Sequence, residues 1–323
     1  MDVLSSLWAL IKEPFFTYSV SASFGNATVE YIDEHLLDDM RETNNGSPVG
    51  LLTLVSGFFG GIMISLSIYM YAEAVDSVAM LAVTESLRNQ AMIAGALEAL
   101  WIIPYLHATN RVGALKAAPL FQAIPIFSFI FGYFFFKEVF ELTQIIACLV
   151  IIAGGLLLNM NKETFKIDTK TLWQMLLASA TIAFVYSFFN EIAKESNFMA
   201  TLFWMGIGMT GMCVVIWIVK KSYRQEFNAF LKSPRKKLVA LQLANEGINA
   251  LSVAASAYAV WRAPNPMVAT ALNAFHPVFL LIIGWVMGKN GSAKHSAALK
   301  SGEGVKTGIS IFLIVIGTLL LAL

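Results

Sequence analysis

Charge is what this sequence has least of. Only 13% of its 323 residues are Asp, Glu, Lys or Arg, against about 25% in an ordinary soluble domain. So few charges cannot cover a water-facing surface, and with 57% hydrophobic residues and a mean hydropathy of +0.68 the expected solvent is lipid. The net charge of +1 leaves none of the basic excess of a nucleic-acid binder. Cysteine is nearly absent: Cys148 and Cys213, both deep in apolar runs, read as core packing and supply no disulfide framework or metal cluster. The chain has no HExxH, GxSxG or P-loop pattern, so no catalytic residue, cofactor or metal ligand is expected, and the protein is not expected to be an enzyme. The opening residues, Met1–Phe16, lack a basic region and a small-residue cleavage site. The chain is expected to enter the membrane through its own first helix.

What is there instead is long apolar runs. A span needs about 20 mostly apolar residues, and about ten stretches qualify on this reading. In chain order they are Pro14–Ile32, Gly50–Tyr71, Ala91–Ala108, Ala114–Phe136, Leu142–Leu158, Leu172–Asn190, Ala200–Val219, Leu238–Val260, Met267–Met287 and Val305–Leu323. The first is the most polar. An acidic loop, Asp33–Pro48, is expected after it, and an interfacial linker at Ala72–Gln90. Small residues at helix-packing spacing (Gly57 with Gly61, Gly304 with Gly308, and Ala91, Gly95, Ala99) point to close backbone approach.

A charged hinge, Asn159–Lys170, divides the chain, and the pattern before it recurs after it. Ser23-Phe24-Gly25-Asn26 is echoed by Ser187-Phe188-Phe189-Asn190, and Ala96-Leu97-Glu98-Ala99 by Ala244-Asn245-Glu246-Gly247. Pro125 stands seven residues before Gly132, as Pro277 does before Gly284. A repeat of five spans is odd-numbered, so the second copy enters from the opposite side. The expected fold is an all-α polytopic membrane protein: two inverted five-helix repeats, 1–160 and 161–323. Inverted repeats commonly build alternating-access transporters with the site near the midplane.

Residues Ala118-Pro119-Leu120 through Pro125, then Gly132 to Glu138, then Gln144 and Ile151-Ile152-Ala153-Gly154-Gly155, carry a resemblance to the drug/metabolite transporter superfamily and, within it, to the EamA-like permeases. The second half fits more loosely, with Asn290 where the first has Glu138. The resemblance implies ten helices in two repeats, a central cavity, and export or exchange of small metabolites. It fixes no substrate.

Candidate site residues follow from polarity inside spans, where an ionisable group is costly and faces a cavity or a partner. Glu98, Trp101 and Tyr105 share a helical face, as do Gln242, Glu246 and Asn249. Glu98 and Glu246 read either as paired carboxylates of a transport cavity, binding substrate or carrying protons, or as structural glutamates. Asn26 and Asn190 would bind substrate or tie helices together. Asn273 and His276 add polar groups beside Pro277, while Glu30 and Lys194, nearer span ends, read as solvated. No Lys or Arg lies well inside a span. Phosphate recognition normally needs one, so the expected substrate is neutral, zwitterionic or cationic, such as an amino acid or amine.

The expected partners are that small molecule and the lipid bilayer, with no nucleic acid, in a monomer or homodimer located in the cell (inner) membrane. A non-transporting scaffold, receptor or lipid scramblase fits the same bundle. Orientation is contested: counting Lys and Arg puts both termini outside the cytoplasm, and the resemblance implies both inside.

Overall fold

Helix α2 is where the sequence most misleads. The run Glu30 to Met40 is acidic, yet Ile32, Leu36, Leu37 and Met40 recur at helical spacing, and the last three are buried. In a computed structural model of the chain, the helix expected to stop at Ile32 therefore runs unbroken over Pro14–Thr43, 30 residues. Most of the expected acidic loop is its last turns, packed on a cluster that includes Leu52, Tyr105 and Leu106.

The structure describes residues 3–43, 48–159, 169–232, 236–288 and 304–321. Most of the expected charged hinge, and Asn290, lie outside them. No strand occurs among the described residues. Before α2 stands a short helix, α1 (Val3–Lys12). After it come α3 (Val49–Val55), a π-helical turn at Ser56–Gly60, and α4 (Gly61–Ala74). The expected interfacial linker is largely structured: a 3₁₀ turn, Val78–Leu81, is held where Trp204 Nε1 donates to the Leu81 carbonyl at 3.0 Å. Helix α5 (Glu85–Val112) starts at Thr84, whose hydroxyl accepts from the Leu87 amide. It ends at Gly113, where φ of 83° needs a residue without Cβ.

Helices α6 (Ala114–Ala117) and α7 (Ile124–Phe134) flank a 3₁₀ stretch, Ala118–Ala123, beside the two prolines. Next are α8 (Leu142–Asn159), α9 (Thr169–Glu195) and α10 (Phe198–Val219). Helix α11 (Lys221–Lys232) is a short amphipathic helix the sequence reading did not anticipate. Its Glu226 Oε2 accepts from the Leu51 amide at 3.0 Å, answering one of the free donors at the start of α3. Helix α12 (Lys236–Arg262) follows, then α13 (Pro266–Ala271) and α14 (Phe275–Gly288) around a 3₁₀ turn at Leu272–Ala274, and finally α15 (Gly304–Leu320).

Six of these segments are long and apolar enough to cross a membrane: Val49–Ala74, Glu85–Val112, Thr169–Glu195, Phe198–Val219, Lys236–Arg262 and Pro266–Met287. Leu120–Phe134, Leu142–Leu157 and Gly308–Thr318 are apolar but shorter. Helix α2 has the length and lacks the apolarity, because its polar stripe (Ser19, Ser23, Glu30, Asp33) is buried inside the protein.

The helices pack in a recurring way. Helix α2 lies against α12 and α14, α9 against α5 and α7, α8 against α15, and α10 against α4 and α5. Several contacts are backbone-close: a Cβ on Gly95 would run into the Met205 carbonyl, and one on Gly208 into that of Met92, fixing α5 on α10. Gly57 and Gly61 likewise meet α10, at Cys213 and Thr210. Gly308 departs from the expectation: it faces open space, and Gly154 and Gly317 hold α8 and α15 together instead. Both cysteines are free and buried.

Candidate functional site

Polar residues from three helices converge on one cavity. On α2, Asn26, Glu30 and Asp33 recur at helical spacing; on α5, Glu98, Trp101 and Tyr105; on α12, Asn249. The 3₁₀ interruptions near the prolines turn Phe121 and Asn273 inward, with His276 at the start of α14, and Tyr186 closes the wall from α9. The space open to water-sized groups is ≈ 90 Å³, room for about three waters at ~30 Å³ each.

The lining is acidic. Glu30, Asp33 and Glu98 border the cavity, and among the described residues no Lys or Arg does. The protein answers these carboxylates unequally. The Glu30 Oε2 is 2.9 Å from His276 Nε2. Asp33 accepts from Asn245 Nδ2 at 2.8 Å and from the Tyr105 hydroxyl at 3.3 Å. Glu246 accepts from the Ser56 hydroxyl and Gln242 Nε2, both at 2.7 Å, and from Asn249 Nδ2 at 3.4 Å. The π-helical turn delivers that serine, consistent with the use of such turns at functional positions. Glu98, 2% exposed, has an Oε2 with no hydrogen-bond partner, and Trp101 Nε1 likewise has none.

Of the ten residues singled out by sequence, Asn26, Glu98, Trp101, Tyr105, Asn249, Asn273 and His276 line the cavity. Glu246 and Gln242 stand behind its wall and reach it through Ser56 and Asn249. Asn190 does not belong with them. It lies outside the lining, and its Nδ2 donates to Glu138 Oε1 at 3.1 Å, in a cluster with Lys194 and Glu191. Sequence reasoning missed Asp33 and Ser56 and gave Glu30 a solvated role, whereas Glu30 is 2% exposed and faces His276. The signal for Asp33 was present: the stripe Ser19, Ser23, Asn26, Glu30 continues to it by one more helical step.

Residues 40–160 match the model of the EamA-like transporter family, one of the drug/metabolite transporter superfamily. No curated protein matches the sequence. Among solved structures, one described only as the crystal structure of a protein aligns with a TM-score of 0.58 over 93% of this chain and 96% of its own. At 14% identity this likeness concerns the fold alone.

Proposed function

We propose that this multi-pass membrane protein, whose residues 40–160 go with the EamA-like transporter family, is a secondary transporter of small metabolites working by alternating access. The observation that carries the reading is the polar cavity itself. It is bounded by helices from both sides of the expected Asn159–Lys170 hinge and set among helices that are otherwise apolar. A scaffold has no use for buried carboxylates around such a space, because each is costly in a membrane.

The two halves are inverted five-helix repeats, 1–160 and 161–323. Supporting this, α2 packs on α12 as α9 packs on α5, and α2 on α14 as α9 on α7. These are the partner exchanges expected when a two-fold axis relates spans one to five with six to ten. Polar contacts across that division (Asp33 with Asn245, Ser56 with Glu246, Glu30 with His276) are the ones a rocking motion makes and breaks. The acidic lining turns away anions and leaves neutral, zwitterionic or cationic solutes as the candidates. Glu246 is the coupling carboxylate: a proton on it removes an acceptor from a site where three donors converge and so loosens the Ser56 contact across the halves.

Purified protein in liposomes tests this. Wild type accumulates a bound metabolite against its gradient when a proton gradient is imposed, and Glu246→Gln keeps the fold and loses the accumulation. Accumulation unchanged in the variant refutes the coupling role, and exchange without accumulation in wild type identifies a facilitator whose Glu246 is structural.

A further inference from the structure

Pseudo-symmetry makes Glu98 and Glu246 look like equivalents, but their surroundings differ. Glu246 has three donors from its own protein, and Asp33 has two. The Glu98 Oε2 is buried with none. A carboxylate oxygen sealed from water without a donor is a costly arrangement, and it is relieved by a ligand that brings a hydrogen on a positive group. One turn along α5, the buried Trp101 indole N–H leans toward the Glu98 carboxyl without completing a hydrogen bond of good geometry, so a ligand acceptor can take it. Around these two groups stand three rings. Trp101 and Tyr105 have centroids 5.5 Å apart, Tyr105 and Phe121 5.6 Å, and Trp101 and Phe121 6.2 Å. Aromatic faces of this kind attract organic cations. No group of three or more His, Cys, Asp or Glu with metal-binding geometry occurs among the described residues, which separates this site from one for a metal ion.

From this geometry we infer that Glu98, Trp101, Tyr105 and Phe121 form the substrate subsite for a small protonated amine that also carries an uncharged hydrogen-bond acceptor, as an amino alcohol does. The ammonium sits on Glu98 against the rings, and the acceptor takes the Trp101 N–H. A zwitterionic amino acid is disfavoured, because its carboxylate would enter a lining of Glu30, Asp33 and Glu98 with, among the described residues, no Lys or Arg to meet it. Glu246 takes no part in this binding. The inference rests on the transport reading for its biological sense, while the binding site stands or falls by itself.

The test is equilibrium binding to the full chain in nanodiscs. The probes are three amino alcohols, ethanolamine, valinol and phenylalaninol. The comparison sets are the matching amino acids (glycine, valine, phenylalanine) and the alcohols without the amino group. At least one amino alcohol is expected to bind at least about tenfold tighter than its amino acid and its deaminated alcohol. Glu98→Gln weakens that binding by at least about tenfold, the scale of a hydrogen bond to a charged group. Trp101→Phe, which keeps a ring and removes the N–H, weakens it several-fold, and Asn190→Ala, outside the cavity lining and bonded to Glu138, leaves it within about twofold. If Glu98→Gln fails to fold, the ligand comparison and Trp101→Phe decide alone. The inference is overturned if no amino alcohol binds, if the amino acid or plain alcohol binds as well, or if binding survives Glu98→Gln. Counterflow in liposomes keeps the two readings apart. Amine binding without flux contradicts transport and leaves the subsite intact, whereas flux of a neutral solute that ignores Glu98→Gln contradicts the subsite and leaves transport intact.

Discussion

Asp33 and Asn245 offer the sharpest energetic test of how α2 is tied to α12. Asp33 is 5% exposed and takes hydrogen bonds from Asn245 Nδ2 at 2.8 Å and the Tyr105 hydroxyl at 3.3 Å. Truncating it to alanine leaves two buried donors without an acceptor. With about 1–3 kcal/mol for each buried donor left unsatisfied, and less for the longer contact, Asp33→Ala should cost about 2–5 kcal/mol. Asn245→Ala should cost less, about 1.5–3 kcal/mol. The Asn245 Oδ1 has no partner to lose, and Asp33 keeps Tyr105. The double variant then falls short of the sum by about 1.5–3 kcal/mol, the coupling that neighbours in one hydrogen-bond network show. Reversible unfolding in mixed SDS micelles, followed by tryptophan fluorescence, measures each corner of the cycle. Asn190→Ala with Asp33→Ala serves as the control and should add within about 0.5 kcal/mol, because Asn190 belongs to the Glu138 cluster. A coupling below about 0.5 kcal/mol for Asp33 with Asn245 would refute the reasoning.

Two further outcomes are expected. Gly95→Ala and Gly208→Ala place a methyl group against a carbonyl of the facing helix and should each destabilise by about 1–3 kcal/mol or more. Gly247→Ala meets open space and should gain up to about 1 kcal/mol; melting curves of the three variants decide, and equal effects would remove the close-approach argument. Burial raises the Glu138 carboxyl above its ordinary 4.5, with Lys194 and Asn190 opposing. A carboxyl raised on folding holds its proton more tightly in the folded state, so its contribution is present below the ordinary range and is lost as pH rises through the raised value. Melting temperatures of wild type and Glu138→Gln between about pH 4 and 8 should therefore diverge, with wild type losing stability relative to the variant as pH rises from 4.5; parallel curves would contradict the burial argument.

The sequence displays the apolar helices well, because lipid-facing side chains must be apolar whatever they pack on. It displays α2 poorly for the opposite reason: much of that helix faces neighbours and a polar cavity, so its composition resembles a loop. The Glu98, Trp101, Tyr105 face was legible from spacing alone. So were Gln242, Glu246 and Asn249, although nothing local showed that Ser56, on a distant π-helical turn, would meet Glu246. Asn26 and Asn190 share a Ser-x-x-Asn pattern and end in different places, one on the cavity and one on Glu138. Local pattern places a residue on a face of its helix, while the neighbour that face meets depends on the whole bundle.

The central claim is that the cavity opens to each side of the membrane in turn. Asn26 is half-buried on its wall and the two native cysteines are buried, so Asn26→Cys in a Cys148→Ala, Cys213→Ala background gives one reporter. In liposomes of known orientation, an impermeant thiol reagent is applied from the outside or trapped within. The account predicts labelling from both sides, with a bound metabolite or an imposed proton gradient shifting reactivity from one side to the other. Labelling from one side alone under every condition, or from neither, would contradict it.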